Sequence, residues 1–190
     1  MDKNRLEAFS DGVLAIIITI MVLDLKVPLN PTWQSYLDAY PIFASYILSF
    51  ILVGLYWSTH HHLFHTVQKI NNKVIWMNMF VLFWQSLIPF ATTSMGVNQF
   101  SGITVTIYAT ILALCTVSHT FLVNSLTKIH GENSTFTKVA NKDRFKGYFT
   151  LGINSLAALI AFIGFPKIAF SVIALTTLLW FVPSKFTDIK

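Results

Sequence analysis

The sequence predicts an all-α integral membrane protein, a bundle of six membrane-spanning helices formed by a single domain over residues 1–190. Two observations carry this prediction. First, 54% of the 190 residues are hydrophobic and only 11% are charged, whereas about a quarter of the residues of a soluble domain are charged. Second, the apolar residues are concentrated in six segments, most of them close to the ~20 residues that a helix needs to cross a ~30 Å hydrocarbon core. Membrane-spanning β-strands would instead alternate polar and apolar residues over ~10 positions.

The six segments are separated by residues that end helices, among them Pro28, Pro31 and the run Asn71-Asn72-Lys73. Pro89 lies inside the third segment, where it is expected to kink the outer end of the helix. The sixth segment is short and follows a tight hairpin. The predicted segments are Leu6–Leu25, Ala39–Thr59, Val74–Ser94, Ile103–Val123, Gly147–Phe165 and Ile168–Val182.

The distribution of basic residues predicts the orientation in the membrane, because cytoplasmic loops carry an excess of Lys and Arg. If the N-terminus is cytoplasmic, eleven of the thirteen basic residues fall on the cytoplasmic side, and only Lys26 and Lys167 fall outside. Both termini are therefore expected in the cytoplasm, together with a basic loop at about 127–146. Attraction to anionic lipid headgroups explains that loop better than nucleic-acid binding does.

A histidine cluster at the predicted cytoplasmic end of the second helix could indicate a metal. His61, His62 and His65 form an HHxxH pattern, and two of them lie one helical turn apart. Membrane di-iron enzymes need several such clusters, and outside this cluster, which also includes His60, only His119 and His130 occur. We therefore expect imidazoles that hydrogen-bond to neighbours or water, and no metal site. No nucleophile elbow, HExxH, P-loop or glycine-rich dinucleotide turn occurs either, so we expect neither catalytic residues nor a cofactor.

The first helix carries a polar pair close to its predicted cytoplasmic end. At 100° per residue, Ser10 and Asp11 lie about 120–140° around the helix from Ile16. Because ionisable groups are costly inside a membrane, Asp11 is expected to meet a polar partner on another helix. The wheel alone leaves open whether the stripe that contains Ile16 serves packing, lipid contact or another purpose. That stripe consists of Arg5, Phe9, Gly12, Ile16, Thr19, Ile20 and Leu23.

The segment Arg5–Asp11 (RLEAFSD) matches the RxxxFSD signature of the transmembrane protein 175 family of potassium channels, and the chain resembles the prokaryotic members of that family. Two further features are similar to the family's pattern. One is Trp57 with His60–His62, and the other is Asn78 together with the SLIPF segment at residues 86–90. The resemblance implies a homotetramer in a prokaryotic cell membrane, with four first helices around a central pore. It also implies potassium as the permeant ion and, as in this sequence, no TVGYG filter.

The resemblance also implies roles for individual residues. Ile16, five positions beyond the signature Asp, corresponds to a hydrophobic constriction, and Thr19 corresponds to a polar ring linked to potassium preference. Leu23 lies on the same face of the first helix as Ile16 and Thr19, and Ile20 lies next to that face. Ala15 stands where animal members have Ser. The resemblance further implies a hydrogen-bond network that holds the pore helices in place. Which histidine and which tryptophan belong to it is left open. The residues assigned to the network are Arg5, Phe9, Ser10, Asp11, His61, Trp76 and Asn78.

The sequence thus favours a potassium-permeable channel over an enzyme. The main alternative is a small secondary or proton-coupled transporter that uses an intramembrane Asp/His relay. Such transporters contain paired broken helices in two halves, and the sequence shows no such pair. An intramembrane metalloenzyme is the third possibility, which bound iron or zinc after purification would favour.

Overall fold

The computed structural model describes residues 2–26, 28–131 and 135–180 of the chain. Every regular element within these ranges is an α-helix, which confirms the all-α prediction. In chain order the helices are α1 (Lys3–Leu23), α2 (Trp33–Asp38), α3 (Tyr40–Thr66), α4 (Asn72–Ser86), α5 (Ile88–Val97), α6 (Gly102–His130), α7 (Thr135–Phe162) and α8 (Pro166–Leu179).

Four helical segments are long and apolar enough to span a membrane, namely α1, α3, α6 and the consecutive pair α4–α5. Two further apolar segments, Lys146–Phe162 in α7 and Pro166–Leu178 in α8, are shorter. The six predicted apolar segments all fall on these helices, and the end of the sixth, Val182, lies outside the described residues. By length and composition the chain is therefore a multi-pass membrane protein with four candidate spans in its described part.

The basic segment predicted as a cytoplasmic loop at about 127–146 is helical over most of its described residues. Helix α6 continues to His130 and α7 begins at Thr135. Gly131 follows α6 with a φ of 80°, a positive value that glycine adopts freely because it has no Cβ. The run from Thr135 to Lys146 contains neither Pro nor Gly, so nothing in it stops the next helix.

The short helix α2 was not predicted from the sequence. It begins after Pro31, and the Thr32 side chain caps it by accepting a hydrogen bond from the Ser35 backbone N–H at 3.1 Å. Such a cap satisfies one of the backbone donors that a helix start leaves free. Its apolar side chains Trp33 and Leu37 are exposed.

The third apolar segment is interrupted between α4 and α5, where the sequence predicts a kink. Pro89 stands in the first turn of α5, and its ring nitrogen cannot donate the hydrogen bond that a continuous helix would need. The backbone N–H of Leu87 instead donates to the carbonyl of Trp84 at 3.2 Å. Beyond the break, α5 packs against α3.

Helix α6 is the central packing element, because it contacts α4, α5, α7 and α8, while α1 packs against α3, α4 and α5. The core between them contains a buried hydroxyl cluster as well as aliphatic side chains. The Ser49 hydroxyl lies 2.9 Å from that of Tyr108 and 2.7 Å from that of Thr92. These contacts join α3, α5 and α6 by hydrogen bonds that have no competition from water in a membrane.

We expect Gly96→Ala to destabilise the fold, because α5 and α3 approach closely there. A Cβ at Gly96 would lie 2.6 Å from Ser45 Oγ and 2.8 Å from Ile42 Cα. The second of these is backbone, so the helices must separate, at a cost of about 1–3 kcal/mol. Unfolding in mixed micelles measures this loss. Gly54→Ala, where nothing lies within 4 Å, should leave stability unchanged or slightly raised, and equal stability of the two variants would contradict the close approach.

Candidate pore face and its supporting network

Helix α1 has two distinct faces in the folded chain. One face is buried against α3, α4 and α5, with residues spaced three or four positions apart, as a helical period of 3.6 requires. The buried residues are Leu6, Ser10, Leu14, Ile17 and Met21. The other face is exposed in the single chain: Ile16 is 59% exposed and Leu23 is 75% exposed. The remaining members of the sequence stripe, Arg5, Phe9, Gly12, Thr19 and Ile20, are exposed as well.

The exposed face combines apolar side chains with one hydroxyl in the middle of the helix. The Thr19 hydroxyl donates to the carbonyl of Ala15, one turn earlier, at 2.9 Å. Its proton is therefore used within the helix, and the oxygen lone pairs remain available to a group outside it. This face can thus offer a hydrogen-bond acceptor or an ion ligand between apolar rings.

The buried face of α1 is held by a chain of hydrogen bonds to α4 and α3. The Asn78 Nδ2 donates to Ser10 Oγ at 2.9 Å, and Asn78 Oδ1 lies 2.8 Å from His60 Nε2. All three side chains are buried. Ser10 and Asn78, which the resemblance assigns to the network, are therefore in direct contact.

A second pair of contacts joins α1 to α3 closer to the surface. The Trp57 indole N–H donates to Asp11 Oδ1 at 3.0 Å, and His61 Nδ1 lies 3.1 Å from Glu7 Oε1. The rings of Trp57 and His61 stack with their centroids 5.8 Å apart. Asp11 therefore has a polar partner on another helix, as expected because an ionisable side chain without a partner is costly inside a membrane.

The structure brings together only part of the residue set expected for the network. His60, and not His61, contacts Asn78, while His61 faces Glu7. Trp76 is 70% exposed and forms no hydrogen bond with any described residue; the indole in the network is that of Trp57. Arg5 and Phe9 are exposed, and within one chain's described residues neither takes part in the network.

The C-terminal end of α1 is fixed by a further, partly buried polar contact. The Thr93 hydroxyl donates to Asp24 Oδ2 at 2.6 Å, which ties the end of α1 to α5. Polar contacts therefore hold α1 at both ends, and Leu14, Ile17 and Met21 pack into the main core between them. The helix is anchored along one side and leaves the stripe of Ile16 free.

The histidine cluster does not form a metal centre within the described part of the chain, where no group of three or more His, Cys, Asp or Glu side chains converges. The rings of His61 and His65 are tilted, with centroids 6.5 Å apart. His60 instead stacks on Phe64 at 4.5 Å and contacts Asn78. Within this cluster, His60 and His61 contact side chains of α4 and α1.

Comparison with known proteins relates this architecture to a channel family. Residues 5–89 match the family model described as the endosomal/lysosomal potassium channel TMEM175. The chain is also 45% identical over 185 residues to a potassium channel of Chryseobacterium sp. (strain P1-3), a match that covers 97% of this chain and 95% of the relative. The chain belongs to the TMEM175 family.

Other TMEM175 proteins are similar over different lengths. The endosomal/lysosomal proton channel TMEM175 of Mus musculus is 37% identical over 103 residues, which cover 48% of this chain and 21% of the mouse protein. The crystal structure of a lysosomal potassium-selective channel TMEM175 homolog from Chamaesiphon minutus has the same fold, with a TM-score of 0.79 at 23% identity. That match covers 94% of this chain and 95% of the other.

The TMEM175 family match includes all of the helices that form the network. It begins at Arg5, the first residue of the RxxxFSD signature, and ends at Pro89, where the third apolar segment breaks. Helices α1, α3 and α4 therefore lie wholly or almost wholly within the matched range. Helices α6, α7 and α8 lie beyond it.

We expect Trp57→Phe to loosen α1 of this TMEM175 protein modestly. The change retains an aromatic ring beside His61 and removes the only indole donor to Asp11 among the described residues. The partly exposed bond should contribute about 0.5–1.5 kcal/mol, measurable as a loss of stability on unfolding in micelles. Trp33→Phe, on the exposed helix α2, is the matched control. A loss of the same size in both variants would contradict a specific role for the Trp57–Asp11 bond.

Proposed function

We propose that the chain forms a homotetrameric, potassium-permeable cation channel in which four α1 helices line a central pore. The single observation that carries this proposal is the division of α1 into an anchored face and an exposed face. The exposed face contains Ile16, Thr19 and Leu23, and the other face packs into the subunit. Four copies around an axis would bring the exposed faces together.

The exposed stripe has the chemistry of a pore with a hydrophobic constriction. Four Ile16 side chains around the axis would form an apolar ring, and a narrow apolar ring hinders a hydrated ion because water leaves it. Thr19 lies about 4.5 Å further along the helix, and Leu23 about 10.5 Å further, at 1.5 Å per residue. Four Thr19 hydroxyl oxygens would replace part of the water that a cation loses, with Ile20 beside them.

The network is proposed to set the width of this constriction. Ser10 is bonded to Asn78, and Asp11 to Trp57, so each α1 is held at a defined distance from α3 and α4 of its own subunit. In a tetramer that distance decides how closely the Ile16 side chains approach. Arg5 and Phe9, which are exposed in the single chain, would then face neighbouring subunits.

The remaining expectations belong to the same proposal. The channel conducts passively, catalyses no reaction and needs no cofactor, with K⁺ as the permeant ion. All six apolar segments cross the membrane, both termini are cytoplasmic and the basic segment around 127–146 contacts anionic lipids. Lipids and the other three subunits are the proposed partners, and nucleic acid is not among them.

Reconstitution into planar bilayers tests this function directly. With unequal potassium concentrations and no proton gradient, the protein should carry current whose reversal potential follows the potassium gradient. Native mass measurement in detergent should give four times the 21.5 kDa chain mass. A monomer would remove the central axis, and a flux that requires a proton gradient would replace the channel with the transporter alternative.

A further inference from the structure

A histidine outside the cluster on α3 joins two parts of the chain that are 62 positions apart. His130 is the last residue of α6, and its Nε2 lies 3.0 Å from the backbone nitrogen of Gln68 and 3.4 Å from that of Lys69. Both nitrogens belong to the segment 67–71 that connects α3 to α4. We call these two contacts the His130 latch. No residue of α1 takes part in them, so the latch is separate from the exposed face proposed as the pore wall.

The bonding pattern fixes the position of the proton on His130. A backbone N–H can only donate, so Nε2 is the acceptor for Gln68 and Lys69. In a neutral imidazole one nitrogen accepts and the other carries the proton. Nδ1 therefore carries the proton and donates to the carbonyl of Leu126, one turn earlier in α6, at 2.9 Å. The latch thus requires the neutral form of His130.

Protonation of His130 removes the acceptor on which the latch depends. Both ring nitrogens of an imidazolium carry protons, so an N–H at Nε2 would face the N–H groups of Gln68 and Lys69. Two donors cannot form a hydrogen bond with each other. The contact of Nδ1 with Leu126 is retained, and a cation is favourable at the C-terminus of a helix. The imidazole therefore stays on α6, and the connecting segment is released.

The surroundings of His130 offer the protonated form no replacement for the lost contacts. Lys69 on the connecting segment and Lys128 in the last turn of α6 are cationic. Helix α7 places the uncharged ring of Phe136 beside the imidazole, with the centroids 4.9 Å apart. Within the described part of the chain, no carboxylate forms an ion pair with His130.

We propose that the His130 latch is a pH-dependent contact, which holds the segment 67–71 on α6 when His130 is neutral and releases it when His130 is protonated. Imidazoles change their charge between about pH 8 and pH 5. The segment connects α3 to α4, and Asn78 of α4 bonds to both His60 of α3 and Ser10 of α1. Release therefore loosens the support of α1 at acidic pH. Only the consequence for an ion current relies on the proposed function.

Hydrogen exchange of the Gln68 amide in lipid nanodiscs tests the latch. Rates are measured at about pH 8 and about pH 5, and each is divided by the rate of an unstructured peptide at the same pH. We expect the protection of Gln68 to decrease about two- to tenfold on acidification, which corresponds to the loss of one ordinary hydrogen bond. Equal protection at both pH values would overturn the proposal.

Nitrogen NMR of ¹⁵N-histidine-labelled protein tests the position of the proton independently. The His130 signal is identified by its loss in His130→Gln. At the alkaline pH we expect the proton of His130 on Nδ1 and an unprotonated Nε2. A proton on Nε2 at this pH would contradict the bonding pattern and overturn the proposal.

Two histidine variants decide whether the pH dependence arises at His130. His130→Gln introduces a side chain that does not titrate, so the protection of Gln68 should be the same at both pH values. His65→Gln changes an exposed histidine only three positions before Gln68 and should retain the full pH dependence. Dependence that persists in His130→Gln, or that disappears in His65→Gln, would overturn the proposal. These signals are read within one subunit, so they stand or fall separately from the bilayer currents that test the channel.

Discussion

Replacing Ile16 with Asn should increase the current through the reconstituted protein and reduce its preference among cations. Ile16 is exposed at the middle of α1, and in the proposed tetramer four amide groups in place of four apolar side chains would keep water in the proposed constriction. If the ion barrier decreases by about 1.4 kcal/mol, the ion flux increases about tenfold. Single-channel recordings in potassium and sodium solutions measure both the conductance and the ion preference.

Two further variants decide whether the effect arises at this ring. Ile16→Leu retains an apolar side chain of equal volume and should leave the conductance close to that of the unmodified protein. Leu159→Asn introduces the same amide at an exposed position of α7, away from α1, and should leave ion preference unchanged. Unaltered currents in Ile16→Asn would show that Ile16 does not form the constriction.

Replacing Asn78 with Ala should cause the largest loss of stability among the polar substitutions discussed. Asn78 is fully buried, and its amide contacts both Ser10 and His60. Its removal leaves His60 Nε2 without its partner, at about 1–3 kcal/mol, and removes the hydrogen bond that joins Ser10 on α1 to α4. Unfolding in mixed micelles measures the loss, and channel recordings should show altered conductance because the position of α1 changes.

A double-mutant cycle separates this coupling from a general effect of the substitution. Ser10→Ala and Asn78→Ala share one hydrogen bond, so their combined loss should differ from the sum of the single losses by about 0.5–3 kcal/mol. Asn98→Ala, which changes an exposed amide bonded to the carbonyl of Ser94, serves as the control. Simple additivity of Ser10→Ala and Asn78→Ala would show that the two side chains act independently.

The helices and the two faces of α1 were predictable because both depend on local patterns. Apolar segments of nearly 20 residues predict spans wherever they occur, and the 3.6-residue period separates Ile16 from Ser10 without any knowledge of the neighbours. The kink at Pro89 was predictable for the same reason, since a missing N–H interrupts a helix in any context. Helix α2 and the early start of α7 were missed, because polar segments do not show the apolar pattern from which the spans were predicted; the start of α2 depends on a cap by the Thr32 side chain.

The partners of the network could not be read from the sequence in the same way. His60 and His61 are adjacent, and consecutive side chains on a helix point about 100° apart, so one meets Asn78 and the other Glu7. A shift of α3 by a fraction of a turn would exchange them. The orientation of each helix also decides which tryptophan takes part. The indole of Trp57 bonds to Asp11, whereas Trp76 is exposed.

The sequence by itself determined that this is a helical membrane protein whose first helix has a polar end and a separate apolar stripe, because hydropathy and helical period act over a few neighbouring residues. Only the tertiary structure decided which side chains hold that helix. A hydrogen bond requires two atoms at about 3 Å with the correct orientation. For Ser10 and Asn78, which are 68 positions apart, only the packing of whole helices establishes that geometry.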